Sequence, residues 1–344
     1  MVRRLLVRQD VAVDLGTANT SIYVKGQGIV LSEPSVVAVD NGDNKVVAVG
    51  SVAKEMLGRG SGSIVAMRPL KDGVIADLEA TEKMISYFAR RVQLQRRRVF
   101  RFLTGPRVVA CVPSGVTDGE LRTVREVIEW AGARQAFTIE EPLAAAIGAG
   151  LPVNEVRGSM IVDIGGGTSE VAIISSGGIA TKSSIRIAGN DMDAAISIYI
   201  QRKYKIAIGT QTAEQLKIEL GSAFPLEEEK SAEIQGRDLA TGLPKTMVIG
   251  SEEIREAIRV HVDAIVAAVR DTLDRTSAAL ASDIMDRGMV LAGGGALLRL
   301  LDERLRQETN IAVHVADDPL TCVVIGSGRC LEEIEHYRRA LSSG

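Results

Sequence analysis

One eight-residue pattern occurs twice in this chain. Val13-Asp14-Leu15-Gly16-Thr17-Ala18-Asn19-Thr20 is matched by Val162-Asp163-Ile164-Gly165-Gly166-Gly167-Thr168-Ser169, 149 residues further on. Each copy follows an apolar run, Val11 to Val13 and Met160 to Val162. Each is followed by a second alternating or apolar run, Ser21 to Val24 and Glu170 to Ile174. That order predicts strand, tight polar turn, strand, with Asp at the end of the first strand. In a chain of 344 residues the offset is close to half the length. A duplicated fold with one hairpin per half is the simplest account.

Between and after the hairpins, strands alternate with helices, which implies α/β layers. Arg107 to Val112 reads as a buried strand ended by Pro113-Ser114-Gly115. Thr117-Asp118-Gly119-Glu120 is a capping box opening a helix, with Leu121, Val124, Val127 and Ile128 on one face and Gly132 at its stop. A longer helix starts near Ser251, and Gly288 to Ala292 is a short strand running into Gly293-Gly294-Gly295. Residues 33–66 and 222–250 read as two smaller inserts, the second β-rich. No low-complexity linker separates the halves.

Composition narrows the function. A net charge of -3 gives no bulk attraction to nucleic acid, and 3% aromatics leave little surface for base stacking. Cys111, Cys322 and Cys330 form no CxxC pair, and three scattered histidines suggest no zinc site. The cysteine pattern fits a reducing cytosol. The first ten residues are too short and charged for a secretory signal, and no apolar run approaches the ~20 residues that span a bilayer.

A triphosphate needs backbone N–H donors packed around its oxygens, and glycine lets the backbone approach. Gly16-Thr17-Ala18-Asn19 and Gly165-Gly166-Gly167-Thr168 supply two such turns. Asp14 and Asp163 before them have the chemistry to hold Mg²⁺. One Gly-rich turn is a weak signal, since turns use glycine for conformational reasons; two matched turns, each after an Asp, are stronger. No Walker loop, dinucleotide fingerprint or nucleophile elbow is present.

Further motifs carry both a structural and a functional reading. Gly293-Gly294-Gly295-Ala296 ends a strand and is expected to open a helix; it serves either as a tight connection or as a flat bed for a base or sugar. Thr212-Ala213-Glu214-Gln215-Leu216-Lys217 is expected to open a helix through a capping box, with Glu214 placed to accept from ribose hydroxyls. Glu140-Glu141-Pro142 is an ordinary helix start, or one carboxylate activates the water that attacks a γ-phosphate.

Together these segments resemble the MreB family of bacterial actin homologues. The resemblance rests on Val13 to Thr20 with Lys25 to Leu31 and Glu33-Pro34-Ser35, on Ile139 to Gly148, on Asp163 to Val171, on Leu291 to Leu298 and on Ala316 to Val323. It covers nearly the whole chain. It implies an actin-like duplicated fold of two domains, each of two subdomains, around a nucleotide cleft. Its divisions would be 1–32, 67–145 and 313–344 (IA), 33–66 (IB), 146–181 and 245–312 (IIA), and 182–244 (IIB). It implies ATP, or GTP, with Mg²⁺. Phosphate contacts would come from Gly16, Thr17, Ala18 and Asn19 and from Gly165, Gly166 and Gly167, and the metal environment from Asp14 and Asp163. Glu141, next to the proline, and Thr168 would place the lytic water, with Asp163 in the catalytic set. Glu214, Gln215, Leu216 and Lys217 would face the nucleoside, as would Gly293, Gly294, Gly295 and Ala296. The family's usual GGGTTE is here Gly165 to Glu170 with Ser169, which keeps a hydroxyl. The family's Gly-rich run after the second connecting segment is here Ile325-Gly326-Ser327-Gly328-Arg329-Cys330, away from the phosphates.

The resemblance also implies antiparallel double filaments of the protein itself on the inner membrane, and elongation-machinery partners such as RodZ and MreC. Arg96-Arg97-Arg98-Val99-Phe100-Arg101-Phe102-Leu103 mixes arginines with apolar residues, the composition of an interfacial loop. Val99, Phe100, Phe102 and Leu103 are the expected membrane contacts; the alternative is a solvated helix end. Val2 to Arg8 has a similar composition. The competing classes are a chaperone ATPase, for which the chain leaves no room for a substrate domain, a sugar or acetate kinase, for which no acceptor motif is seen, and a plasmid-segregation actin.

Overall fold

In the computed structural model, the described residues are 9–59, 62–93 and 105–343. The chain divides into two compact units, Met1–Asn154 with Thr321–Gly344, and Glu155–Leu320.

The first unit is built on a six-stranded sheet. Its spatial order is Ser342–Ser343, Gln135–Glu140, Arg107–Val112, Val11–Leu15, Asn19–Val24, Gly28–Pro34. Three central strands run parallel, with Val11 opposite Val108 and Ala136 opposite Val108. Alternation along Arg107–Val112 feeds two cores. Val108 and Ala110 pack with Ile128 of helix Asp118–Trp130, while Cys111 lies with its Sγ 2.7 Å from Ser327 Oγ of helix Cys322–Glu332. Helix Asp118–Trp130 starts as its sequence predicts: Thr117 caps the Glu120 N–H, and the Glu120 side chain returns to the Thr117 N–H.

The second unit repeats the plan in a five-stranded sheet ordered Gly178–Ile185, Ser169–Ser175, Ser159–Ile164, Met289–Ala292, Val313–Val315. In each unit the hairpin and its next strand are antiparallel on one side, and two parallel strands lie on the other. Helix Ser251–Asp274 buries Ile254, Ile258, Val262, Ile265, Val266 and Val269 against this sheet, the spacing of one helical face.

Each unit also holds a small antiparallel sheet: Val37–Asp40, Lys45–Val49 and Ile64–Met67 in the first, and Ile206–Ala207, Ser231–Asp238 and Pro244–Gly250 in the second.

Three expectations are corrected. The units divide at 154/155 and 320/321 rather than at 145/146 and 312/313. Helix Glu141–Gly148 packs on Cys322–Glu332 within the first unit, and Val313–Val315 pairs with Met289–Ala292 within the second. Thr212 caps nothing: the helix runs Thr210–Leu220 from Gly209, whose carbonyl already takes the Ala213 N–H, and Gln215 turns to Glu219. Gly293 leads into a 3-10 turn, Gly294–Leu297, not an α-helix. A Cβ at Gly295 would sit 2.1 Å from Ile164 Cγ2, so this turn lies directly on the end of strand Ser159–Ile164.

Candidate functional site

The two hairpins are equivalent residue by residue. In the first, Asp14 lies opposite Ser21 and Leu15 opposite Thr20. In the second, Asp163 lies opposite Glu170 and Ile164 opposite Ser169. The same number of residues therefore forms each turn, and each Asp sits two residues before its first glycine.

In both turns the carbonyls are held by the protein, which fixes where the amides point. Ser35 Oγ donates to the Gly16 carbonyl at 2.6 Å, and the Ser35 N–H donates to the Ala18 carbonyl at 2.9 Å. Every peptide described is trans, so the N–H that follows each held carbonyl faces the opposite way. Those groups belong to Thr17 and Asn19. Ser35 is fully buried and also bonds Thr20 Oγ1 at 2.9 Å. The Thr17 hydroxyl accepts from the Gly73 N–H at 2.9 Å, leaving its own proton to give. Gly73 stands in an Asp72-Gly73 turn with both residues at positive φ, 51° and 77°, joining strands Leu70–Lys71 and Val74–Ile75.

The second turn is held by a helix instead. The Gly189 and Asn190 N–H groups, at the start of helix Gly189–Tyr204, donate to the Gly165 and Gly166 carbonyls at 3.2 and 2.8 Å. The N–H groups of Gly166 and Gly167 are thereby turned outward. The Gly165 N–H closes the turn on the Thr168 carbonyl at 2.8 Å.

Asp163 is buried, and burial raises its carboxyl pKa to about 7. The third glycine cluster meets it. A Cβ at Gly293 would lie 2.5 Å from Asp163 Oδ1 and 2.3 Å from the Ile164 carbonyl oxygen, and Gly293 has φ of 76°. Only glycine fits there. Gly293 to Ala296 is thus part of the same corner of the second unit as Asp163.

In the first unit the parallel register puts Val13 beside Ala110 and Glu140 beside Val112, so the carboxyl ends of these strands gather Asp14 and the Glu140-Glu141 pair. This edge is where open α/β sheets bind ligands. Cys111 reports the convergence: burial, then the charges of Asp14 and Glu141, push its thiol pKa well up. Glu140 stands at the N-cap position of helix Glu141–Gly148, and its carboxylate accepts from Ser114 Oγ at 2.6 Å. Glu141 is the first helical residue, followed by Pro142.

On helix Thr210–Leu220, Leu216 is buried in the core and Gln215 is exposed beside Glu219. Glu214 and Lys217 are half-buried. Lys217 Nζ donates to the Gly189 carbonyl at 2.8 Å and pairs with Asp193 at 2.8 Å. Val99, Phe100, Phe102 and Leu103 lie outside the described residues, as does Val2 to Arg8.

The family model for the MreB/Mbl protein matches residues 8–339. The chain belongs to the MreB/Mbl family. It is 53% identical over 339 residues to the cell shape-determining protein MreB of Escherichia coli (strain K12), covering 97% of this chain and 96% of that protein. The crystal structure of MreB5 of Spiroplasma citri bound to ADP matches with a TM-score of 0.90 at 39% identity, over 97% of this chain and 99% of that one. The same protein is also solved bound to AMPPNP. The MamK double helical filament matches with a TM-score of 0.79 at 20% identity, over 95% of this chain and 99% of that one, a likeness of fold. The fold is actin-like.

Sequence reasoning missed residues that bond the turns: Ser35, Gly189, and Gly73, which donates to the Thr17 hydroxyl. Asp72-Gly73 is a hairpin signal that was available. Ser35 has no local signature, because it acts on a turn distant in sequence. Among the described residues no helix is long and apolar enough to cross a membrane.

Proposed function

We propose that this chain binds ATP with Mg²⁺, hydrolyses it, and couples the cycle to assembly into double filaments at the inner face of the cell membrane, where they organise wall synthesis and rod shape. The observation that carries this reading is the pair of hairpins in identical register, each with an Asp two residues before a turn whose carbonyls are held. Each such turn suits phosphate oxygens. The nucleotide-bound structures of MreB5 and the cell-shape role of the E. coli relative support it.

Thr17, Asn19, Gly166 and Gly167 offer N–H groups to phosphate oxygens. Glu214 and the Gly293 to Ala296 turn face the nucleoside. Asp14 and Asp163 hold the metal; the donor set fits, because a buried carboxylate at a pKa of about 7 gains from a neighbouring cation. Mg²⁺, when bound, offsets phosphate charge. Glu141 and the Thr168 hydroxyl hold the attacking water, with Glu140 kept aside by Ser114.

The membrane contacts are assigned to Val99, Phe100, Phe102 and Leu103, and RodZ and MreC are the proposed elongation partners. The test is pelleting of the purified protein on anionic liposomes with ATP, ADP or no nucleotide, with phosphate release followed in parallel. Nucleotide-dependent pelleting with filaments in negative stain is expected. Phosphate release without polymer would sink the filament reading. Unchanged co-sedimentation after charge substitution of Phe100, Phe102 and Leu103 would remove the membrane assignment.

A further inference from the structure

We infer that the Asp193–Lys217 pair is a clamp that keeps the second phosphate turn in its nucleotide-binding shape, so that both act as positioning residues. The inference rests on the nucleotide reading above and goes beyond it: Asp193 carries no role there, and Lys217 acquires one that does not require it to touch the ligand.

The argument follows the bonds. The carbonyls of Gly165 and Gly166 are held by the first two amides of helix Gly189–Tyr204, at 3.2 and 2.8 Å. Those bonds orient the Gly166 and Gly167 amides only while the helix start stays against the turn. Helix starts fray readily, because their first amides have no partner within the helix. Gly189 also has the least restricted backbone of any residue type. Its side-chain cap is absent as well: Ala188 precedes it, and Asp191 reaches back only to the Ala188 N–H at 2.9 Å.

Lys217 supplies the missing restraint from a different helix. Its Nζ donates to the Gly189 carbonyl at 2.8 Å and pairs with Asp193 Oδ1 at 2.8 Å, one turn into the same helix. Both partners are shielded, with side-chain exposures of 18% and 13%, so the pair is screened less than a surface pair. One ammonium therefore ties the helix start at two points and sits against the turn. A Cβ on Gly189 would meet both the Gly165 carbonyl oxygen and Lys217 Nζ at 3.3 Å. Turn, glycine and lysine occupy one packed corner with no spare room.

The test combines two measurements on the full chain with Lys217→Met, Asp193→Asn, both together, and Lys217→Arg. The first is amide hydrogen exchange without nucleotide. The clamp predicts faster exchange at Gly189 and Asn190 in each of the first three proteins, an unchanged rate in helix Ser251–Asp274, and recovery in Lys217→Arg. The second is titration with a fluorescent ATP analogue. About tenfold weaker binding is expected for each single variant, with the double variant no worse than either, since one device is removed in each case. Unchanged exchange at Gly189 and Asn190 would refute the clamp even if binding fell, because Lys217 would then act on the nucleotide directly. Faster exchange with undiminished binding would refute its functional role. A wild-type protein that bound no nucleotide would bring down the site reading itself, and the clamp's role with it.

Discussion

A Cβ placed on Gly326 would lie 1.8 Å from the carbonyl oxygen of Ala144, and one on Gly148 would lie 1.8 Å from that of Cys322. Helices Glu141–Gly148 and Cys322–Glu332 thus touch backbone to backbone at two reciprocal glycines. The Arg329 guanidinium adds a bond to the Ile147 carbonyl. The first of these helices begins with Glu141, so the crossing also fixes the proposed water-holding carboxylate. Gly326→Ala cannot be absorbed by a rotamer change, since the clash is with backbone. It is expected to cost about 3 kcal/mol or more. Urea denaturation read by circular dichroism checks this; a midpoint within error of wild type would show that the helices separate freely.

Asp163 makes stability depend on pH in the direction opposite to most carboxylates. Its folded pKa is raised to about 7 by burial, whereas an unfolded Asp titrates near ~3.9. Between those values the folded state keeps a proton that the unfolded state has lost. Stability from this group therefore falls as pH rises from about 4 to about 7 and is level above that. Asp163→Asn removes the dependence. In the absence of nucleotide and Mg²⁺ the variant is expected to gain on wild type by about 1–3 kcal/mol as pH goes from 5 to 8, while losing Mg²⁺-dependent nucleotide binding. Thermal melts of both proteins across that range decide it, and a variant that gains nothing on wild type as pH rises would contradict the assignment.

Ser35→Ala tests how the first turn is held. The hydroxyl is fully buried and serves both the Gly16 carbonyl and Thr20 Oγ1. Its loss leaves the half-buried Gly16 carbonyl without that donor, at about 1 kcal/mol or more of stability. The Thr17 amide loses part of its orientation, so nucleotide affinity is expected to fall about 3- to 10-fold. Isothermal titration with ADP, at a temperature where the variant is folded, separates the two effects. Lower stability with undiminished affinity would mean that the Ser35 N–H to Ala18 bond holds the turn alone.

The parts of this site that could be read from sequence are those whose chemistry is local. Asp before a Gly-rich turn specifies a hairpin within a few residues, and its recurrence exposed the duplication. Ser35, Gly189 and Asp193 could not be read this way, because each is defined by a carbonyl or ammonium distant in the chain. Thr212 misled for a related reason: a Thr followed three residues later by Gln satisfies the capping pattern, yet the Gly209 carbonyl already receives the first helical bond. The strand Val313–Val315 has three residues, one of them His314, too little alternation to reveal that it completes the second sheet rather than the first. The 3-10 turn at Gly294–Leu297 follows from contact with Ile164, which no local propensity reports.

Glu141→Gln separates binding from hydrolysis. Glu141 stands at the first position of its helix, where the dipole favours a carboxylate, and it is close enough to Cys111 for its charge to raise that thiol's pKa. Glutamine keeps the shape and removes the base. If Glu141 holds and activates the attacking water, phosphate release should fall about 100-fold or more, the scale of a lost general base. Affinity for ATP should change less than about 3-fold, because the groups assigned to the phosphates are backbone amides of the two turns. Filaments formed by the variant with ATP should then persist, since the nucleotide stays intact within them. Single-turnover phosphate release and pelleting on the same preparation give both readouts. Release at the wild-type rate would move the role to Glu140, and Ser114, whose hydroxyl now donates to that carboxylate, would become the next residue to substitute.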